Sequence, residues 1–270
     1  MKLHACLFLL SLASSTLHAQ SMRSHSTSNA MSSQASTRLS QDDPFMLFDT
    51  RYLAQTQSTS PGGIVSVNQL EIPTKALKEF QRSQKSFHAG NLQSARAHLE
   101  KALRIYPNFV EAHNNLAGAY VDMREYERAA EQLRLVIAIN PNVDVPYNNL
   151  SFALFSLGRY SEGEEAARHA LQLNPLGNKA NYNLGRALAA QKHYTLEAVE
   201  VLGLASKVNP QARLALALVL CHRGSFDQAA DELREYLKTP DPALRQAVQE
   251  WLTELVQLRV TLSKSVEKLD

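Results

Sequence analysis

The chain has 270 residues, 44% of them hydrophobic, and a formal charge of only +2 from 28 Lys+Arg and 26 Asp+Glu. A near-neutral balance without a basic stripe interleaved with aromatics speaks against a nucleic-acid surface. No Cys/His spacing for a metal, no phosphate-cradling glycine loop and no serine elbow occurs, so no catalytic motif, cofactor site or metal site is expected.

Residues 1–20 read as a signal peptide. Lys2 supplies the positive start, and Ala5–Ala13 an apolar stretch too short to span a bilayer. Cleavage after Ala19, or near Ser11-Leu12-Ala13, predicts an exported protein, periplasmic or extracellular, with no stable membrane span after signal removal. Only Cys221 then remains of the two cysteines, which excludes an intramolecular disulfide; its apolar helix (Leu214–Leu220) predicts a buried small hydrophobe.

Residues 21–74 are rich in Ser, Thr and Gln, a composition expected to stay disordered. They carry an apolar island, Pro44-Phe45-Met46-Leu47-Phe48 with Tyr52-Leu53, and end in a short extended lead-in from Ile64.

Pro107, Pro141, Pro175 and Pro210 then follow at steps of 34, 34 and 35 residues, each expected to close a segment of one design. A fixed period near 34 residues means a repeated helix-turn-helix. The units are residues 76–107, 110–141, 144–175 and 178–210. Small residues (Ala117, Ala129) let paired helices approach closely. Gly90 and Gly158 mark the turns, and Tyr120, Tyr126, Leu133, Leu150, Tyr160, Leu184 and Tyr194 recur at apolar positions. A degenerate fifth unit, residues 211–240, keeps Gly224, Phe226, Ala229 and Leu233. Unit four has one extra residue between Tyr194 and Ala198, and unit three has Gly163 in place of the small Ala.

This region, residues 75–240, resembles the tetratricopeptide repeat family. The resemblance implies an all-α, right-handed superhelical solenoid. Residues 241–270 follow as a C-terminal capping helix and tail: Asp241-Pro242 starts a helix whose Leu244, Val248, Trp251, Leu252 and Leu255 share one face.

The resemblance also implies a concave face built from the first helix of each unit. There it places Asn114, Asn115, Asn148, Asn149 and Asn183, with Phe152, Phe155, Tyr182 and Arg186. Phe80, Phe87, Val121, Leu214 and Leu218 occupy corresponding positions in other units. A carboxamide both donates and accepts, so one per repeat is suited to an extended peptide backbone. The same asparagines are equally suited to bonding between helices, and that alternative stays open. A clamp for two carboxylates is not expected, because Arg186 and Lys179 are the only cations at these positions.

The expected function is an exported, non-catalytic module that binds a segment of an unidentified partner protein, as a scaffold or assembly factor. The alternative is a structural subunit of a cell-envelope assembly using the convex face and capping helix. His88, His98 and His113 cluster in sequence without metal spacing and read as solvated or interhelical. Residues 45–53, on a tether reaching about 25 Å, are suited to fold back onto the first repeats and compete with partner peptides; a docking motif for another protein and a tail with no defined contact stay open as alternatives.

Overall fold

A computed structural model describes residues 72–239 and 244–266, with side chains to Thr261. Residues 1–20, expected as a signal peptide, the apolar island, Asp241-Pro242 and the chain end lie outside the described residues. Every regular element among those described is an α-helix. They fall into two units, one ending at Asn209 and one beginning at Pro210.

The first unit contains α1 (Thr74–His88), α2 (Leu92–Ile105), α3 (Val110–Asp122), α4 (Tyr126–Ile139), α5 (Asp144–Ser156), α6 (Tyr160–Leu173), α7 (Asn178–Ala190) and α8 (Leu196–Ser206). Each helix packs on its chain neighbours, and α5 also packs on α7. The array is therefore four helical hairpins stacked in order, each burying a face that it cannot bury alone.

One backbone event closes every hairpin. Gly90, Arg124, Gly158 and Lys192 all adopt positive φ, between 61° and 77°. Just beyond each, the chain donates back to the helix it has left: Asn91 N–H to Ser86, Glu125 to Tyr120, Arg159 to Leu154 and His193 to Leu188, at 2.8–2.9 Å. This is the Schellman closure, which satisfies carbonyls the helix end would otherwise orphan. Glycine takes that backbone without strain; Arg124 and Lys192 do not.

Between the hairpin helices the fit is set by small residues. Ala95, Ala117, Ala129, Ala153, Ala187 and Ala198 are all fully buried, as are Leu99, Leu133 and Leu202 on the second helices. Gly163 replaces the expected Ala because a Cβ there would lie 3.3 Å from the Ser151 carbonyl oxygen. Ser151 Oγ uses the close approach to donate to the Gly163 carbonyl at 2.6 Å. Gly185 is tighter still: a Cβ would meet Leu202 Cγ at 2.4 Å.

Ion pairs tie second helices across repeats. Arg159 reaches both Glu127 and Glu162, and Arg168 reaches Glu197. These pairs are solvent-facing, so each contributes at most about 1 kcal/mol.

The second unit holds α9 (Pro210–His222), α10 (Phe226–Leu237) and α11 (Arg245–Val266). Here the sequence expectation needs correction. Pro210 does not close a segment; it is the first residue of α9, where its missing N–H costs nothing. The extra residue before Ala198 lengthens the preceding turn, and Thr195 then caps α8, which runs only 11 residues. Helices α9 and α10 pair through the same closure at Gly224, and α11 packs on α10. Leu244, Val248 and Leu255 are buried, and Arg259 pairs with Asp227 at 2.8 Å. Cys221 is half-buried rather than buried.

Two substitutions check this account by urea denaturation. Gly158→Ala should cost about 1 kcal/mol from backbone strain alone, since nothing lies within 4 Å of the added Cβ. Gly185→Ala should cost about 1–3 kcal/mol by overpacking against Leu202.

Candidate functional site

The residues expected on the concave face sit on α3, α5 and α7, the first helices of three successive repeats. Residues three and four apart share a helix face. That spacing aligns Asn149, Phe152 and Phe155 on α5, and Tyr182, Asn183 and Arg186 on α7.

The five asparagines are buried, not displayed on an open surface. Asn183 Nδ2 donates to the Asn148 side-chain oxygen at 2.9 Å and its backbone carbonyl at 3.2 Å. Asn148 Nδ2 reaches Asn149 Oδ1 at 3.4 Å, and Asn149 Nδ2 reaches Asn114 Oδ1 at 3.5 Å. A chain of carboxamides thus crosses α7, α5 and α3. The interhelical alternative is realised for Asn114, Asn148, Asn149 and Asn183, because the next repeat's helix packs over that side of the first.

The network is not self-sufficient. Asn114 Nδ2 and Asn183 Oδ1 are buried without a hydrogen-bond partner among the described residues, as are both polar atoms of Asn115. A buried, unpaired polar atom costs about 1–3 kcal/mol.

Beside the asparagines the structure brings together Phe152, Phe155, Tyr182 and Arg186. The Arg186 guanidinium carbon lies 3.9 Å from the Phe155 ring centre, 5.1 Å from Phe152 and 5.6 Å from Tyr182. Tyr126 packs edge-on against Phe152, and Tyr160 leans on Phe155 at 5.1 Å. These two tyrosines, from the starts of α4 and α6, extend the cluster. Their recurrence one repeat apart is the sequence signal for them, though not for their role in this cluster.

Arg186 has three aromatic neighbours and no carboxylate within ion-pairing distance among the described residues. Its Nε and Nη2 are shielded from water and unpartnered. Burial lowers its pKa below the ordinary arginine value, to about 10, opposed by Tyr182 and Tyr126. The group remains a cation at neutral pH. A depressed folded-state pKa means the charge costs stability below about pH 10, with relief only as the pH rises through that value. Burial raises the Tyr182 pKa, opposed by Arg186.

Other concave expectations resolve differently. Phe80 is core, 4.8 Å from the Phe109 ring, and Leu218 is buried. Phe87, Val121 and Leu214 are half-buried. The histidines are not a site. His98 Nδ1 lies 2.7 Å from Glu79 Oε2, and His113 bridges the Gln132 carboxamide and the Pro107 carbonyl. His88 is exposed. Among the described residues no three His, Cys, Asp or Glu side chains gather as metal ligands. No described helix is long and apolar enough to cross a membrane.

Two family models, each described as tetratricopeptide repeat, match residues 86–150, 153–205 and 197–245. The chain belongs to the tetratricopeptide repeat family. Solved structures agree on the tetratricopeptide fold. MamA aligns at a TM-score of 0.55 and 22% identity, covering 61% of this chain and 91% of that one. YrrB, described as a TPR protein with an unusual peptide-binding site, aligns at 0.54 and 17%, covering 65% and 92%. A tetratricopeptide repeat protein from Parabacteroides merdae aligns at 0.59 and 18%, covering 73% and 79%. No curated protein matches the chain.

The two kinds of buried polar group should respond oppositely to mutation. Asn183→Ala breaks the bonds to Asn148 and should lower unfolding free energy by about 1–3 kcal/mol. Arg186→Met replaces an unpaired buried charge with an apolar side chain. It should raise unfolding free energy at pH 7 by about 1–2 kcal/mol, the lost cation–π contacts offsetting part of the gain. Both are read from urea titrations.

Proposed function

We propose that this chain is an exported, non-catalytic interaction module that holds a segment of a partner protein on the face built by α3, α5 and α7, acting as a scaffold or assembly factor. The observation that carries the reading is Arg186 set among Phe152, Phe155 and Tyr182 on the first helices of neighbouring repeats, its Nε and Nη2 without a partner among the described residues and Asn183 one turn away. A segment supplying backbone N–H and C=O groups and one apolar side chain would complement that setting. The repeat family and the peptide-binding description of YrrB support a protein–protein interaction role at a coarser level. Export rests on residues 1–20 and places the partner in the periplasm or outside the cell.

A second reading is a structural subunit of a cell-envelope assembly. Ile105, Ile139 and Leu173 favour it: they recur at a 34-residue step and are all exposed, alongside Leu176 and Leu196. Such aliphatics on a repeat surface mark a candidate contact face.

One experiment separates the two. A cross-linked pull-down from the envelope fraction compares wild type with an Asn115→Ala/Phe155→Ala variant whose melting temperature has been matched. Neither side chain carries a hydrogen bond of the carboxamide network. A partner captured by wild type and at least tenfold depleted in the variant supports the α3–α5–α7 face. A partner retained equally by both moves the interface to the aliphatic stripe or α11.

A further inference from the structure

We infer that the partner segment is a proline-rich stretch in the polyproline II conformation, seated in two ring clefts, Tyr126 with Phe152 and Phe155 with Tyr160. The inference rests on the reading that this side of the solenoid receives a partner, and it names the kind of segment received.

The rings meet at open angles. Tyr126, at the start of α4, stands at 74° to Phe152 with ring centres 6.4 Å apart. Tyr160, at the start of α6, stands at 53° to Phe155 with centres 5.1 Å apart. Neither pair stacks flat, so each leaves a wedge between two ring faces. A pyrrolidine ring is compact and rigid enough to sit in such a wedge, and aromatic-lined grooves recognise polyproline II segments in this way. These rings are also accessible. Tyr160 is 36% exposed, and Tyr126, Phe152 and Phe155 are half-buried, unlike the buried asparagines.

Their spacing suits one turn of that helix. The Arg186 guanidinium carbon lies 5.1 Å from the Phe152 centre and 3.9 Å from the Phe155 centre. The two phenylalanine rings are therefore separated by no more than the sum of those distances. A polyproline II helix repeats every three residues, about 9 Å along its axis. Prolines at i and i+3 then fall on the same side of the segment at the separation of the two wedges.

Polar groups and charge point the same way. A polyproline II backbone makes no internal hydrogen bonds, so its carbonyls need donors from elsewhere. The Tyr126 and Tyr160 hydroxyls donate to nothing among the described residues and supply them. The one charge in the cluster is Arg186, a cation seated over both phenylalanine rings. A lysine or arginine in the ligand would meet it as a like charge, so the complementary segment is neutral or acidic between its prolines.

The test titrates the full-length chain into a fluorescein-labelled oligoproline peptide of about nine residues, three turns of the helix, and follows anisotropy. A Gly-Ser peptide of the same length is the control. The expected result is saturable binding of oligoproline at least tenfold tighter than of the control. Tyr160→Ala removes the exposed wall of one wedge and should weaken binding at least fivefold. Tyr126→Phe/Tyr160→Phe keeps every ring, leaves the melting temperature unchanged and should weaken binding at least threefold, so the test survives even where Tyr160→Ala fails to fold. An oligoproline flanked by lysines should bind more weakly than one flanked by glutamates. No saturable binding of oligoproline, equal affinity for the Gly-Ser peptide, or an affinity unmoved by the tyrosine substitutions overturns the inference. Oligoproline failing to bind while partner capture still depends on Asn115 and Phe155 overturns this inference alone, so the two readings fail separately.

Discussion

The structure depends on a backbone constraint that recurs once per repeat: a residue that must turn left-handed so that a helix can end and its partner return alongside it. Gly90, Arg124, Gly158, Lys192 and Gly224 all meet it. The closure fixes where the second helix starts, and so which small residue meets which. The alanine contacts, the leucines behind them and the placement of α3, α5 and α7 side by side all follow from that geometry. Because two of the five positions are not glycine, packing of the hairpins must outweigh the local strain there.

Much of this was legible in the sequence because it is periodic. Helix pairs, turn glycines and the small-residue contacts repeat together, and a repeated pattern tolerates local exceptions such as Gly163. Pro210 was misread for a definable reason. A proline forbids helix continuation before it yet favours helix initiation at it; the next helix starts three residues after Pro107, Pro141 and Pro175 but at Pro210 itself. Spacing alone does not report that shift.

The candidate site was legible in identity and not in environment. Position along a helix tells which way Asn149 or Asn183 leaves the backbone. It does not tell that the next repeat's helix closes over that direction and converts a displayed carboxamide into an internal one. Arg186 is the converse case. The resemblance puts it on one face with Phe152, Phe155 and Tyr182, but does not tell that the three rings close around its guanidinium. That cage arises only when α5 and α7 come together, and its ring faces offset part of the cost of burying the cation.

The carboxamide chain has a consequence for motion. Asn183, Asn148, Asn149 and Asn114 link α7, α5 and α3 through buried side chains that have no water to fall back on. Peeling α7 from α5 strands the Asn148 and Asn183 amides in a dry interior, so the opening of these two helices is coupled. The first hairpin, α1 with α2, contributes no asparagine to the chain and is tied to the array by apolar packing such as Phe80 on Phe109. Two successive repeats of the solenoid are thus coupled through a polar bond in their interior, where apolar packing alone would let each slide on the other.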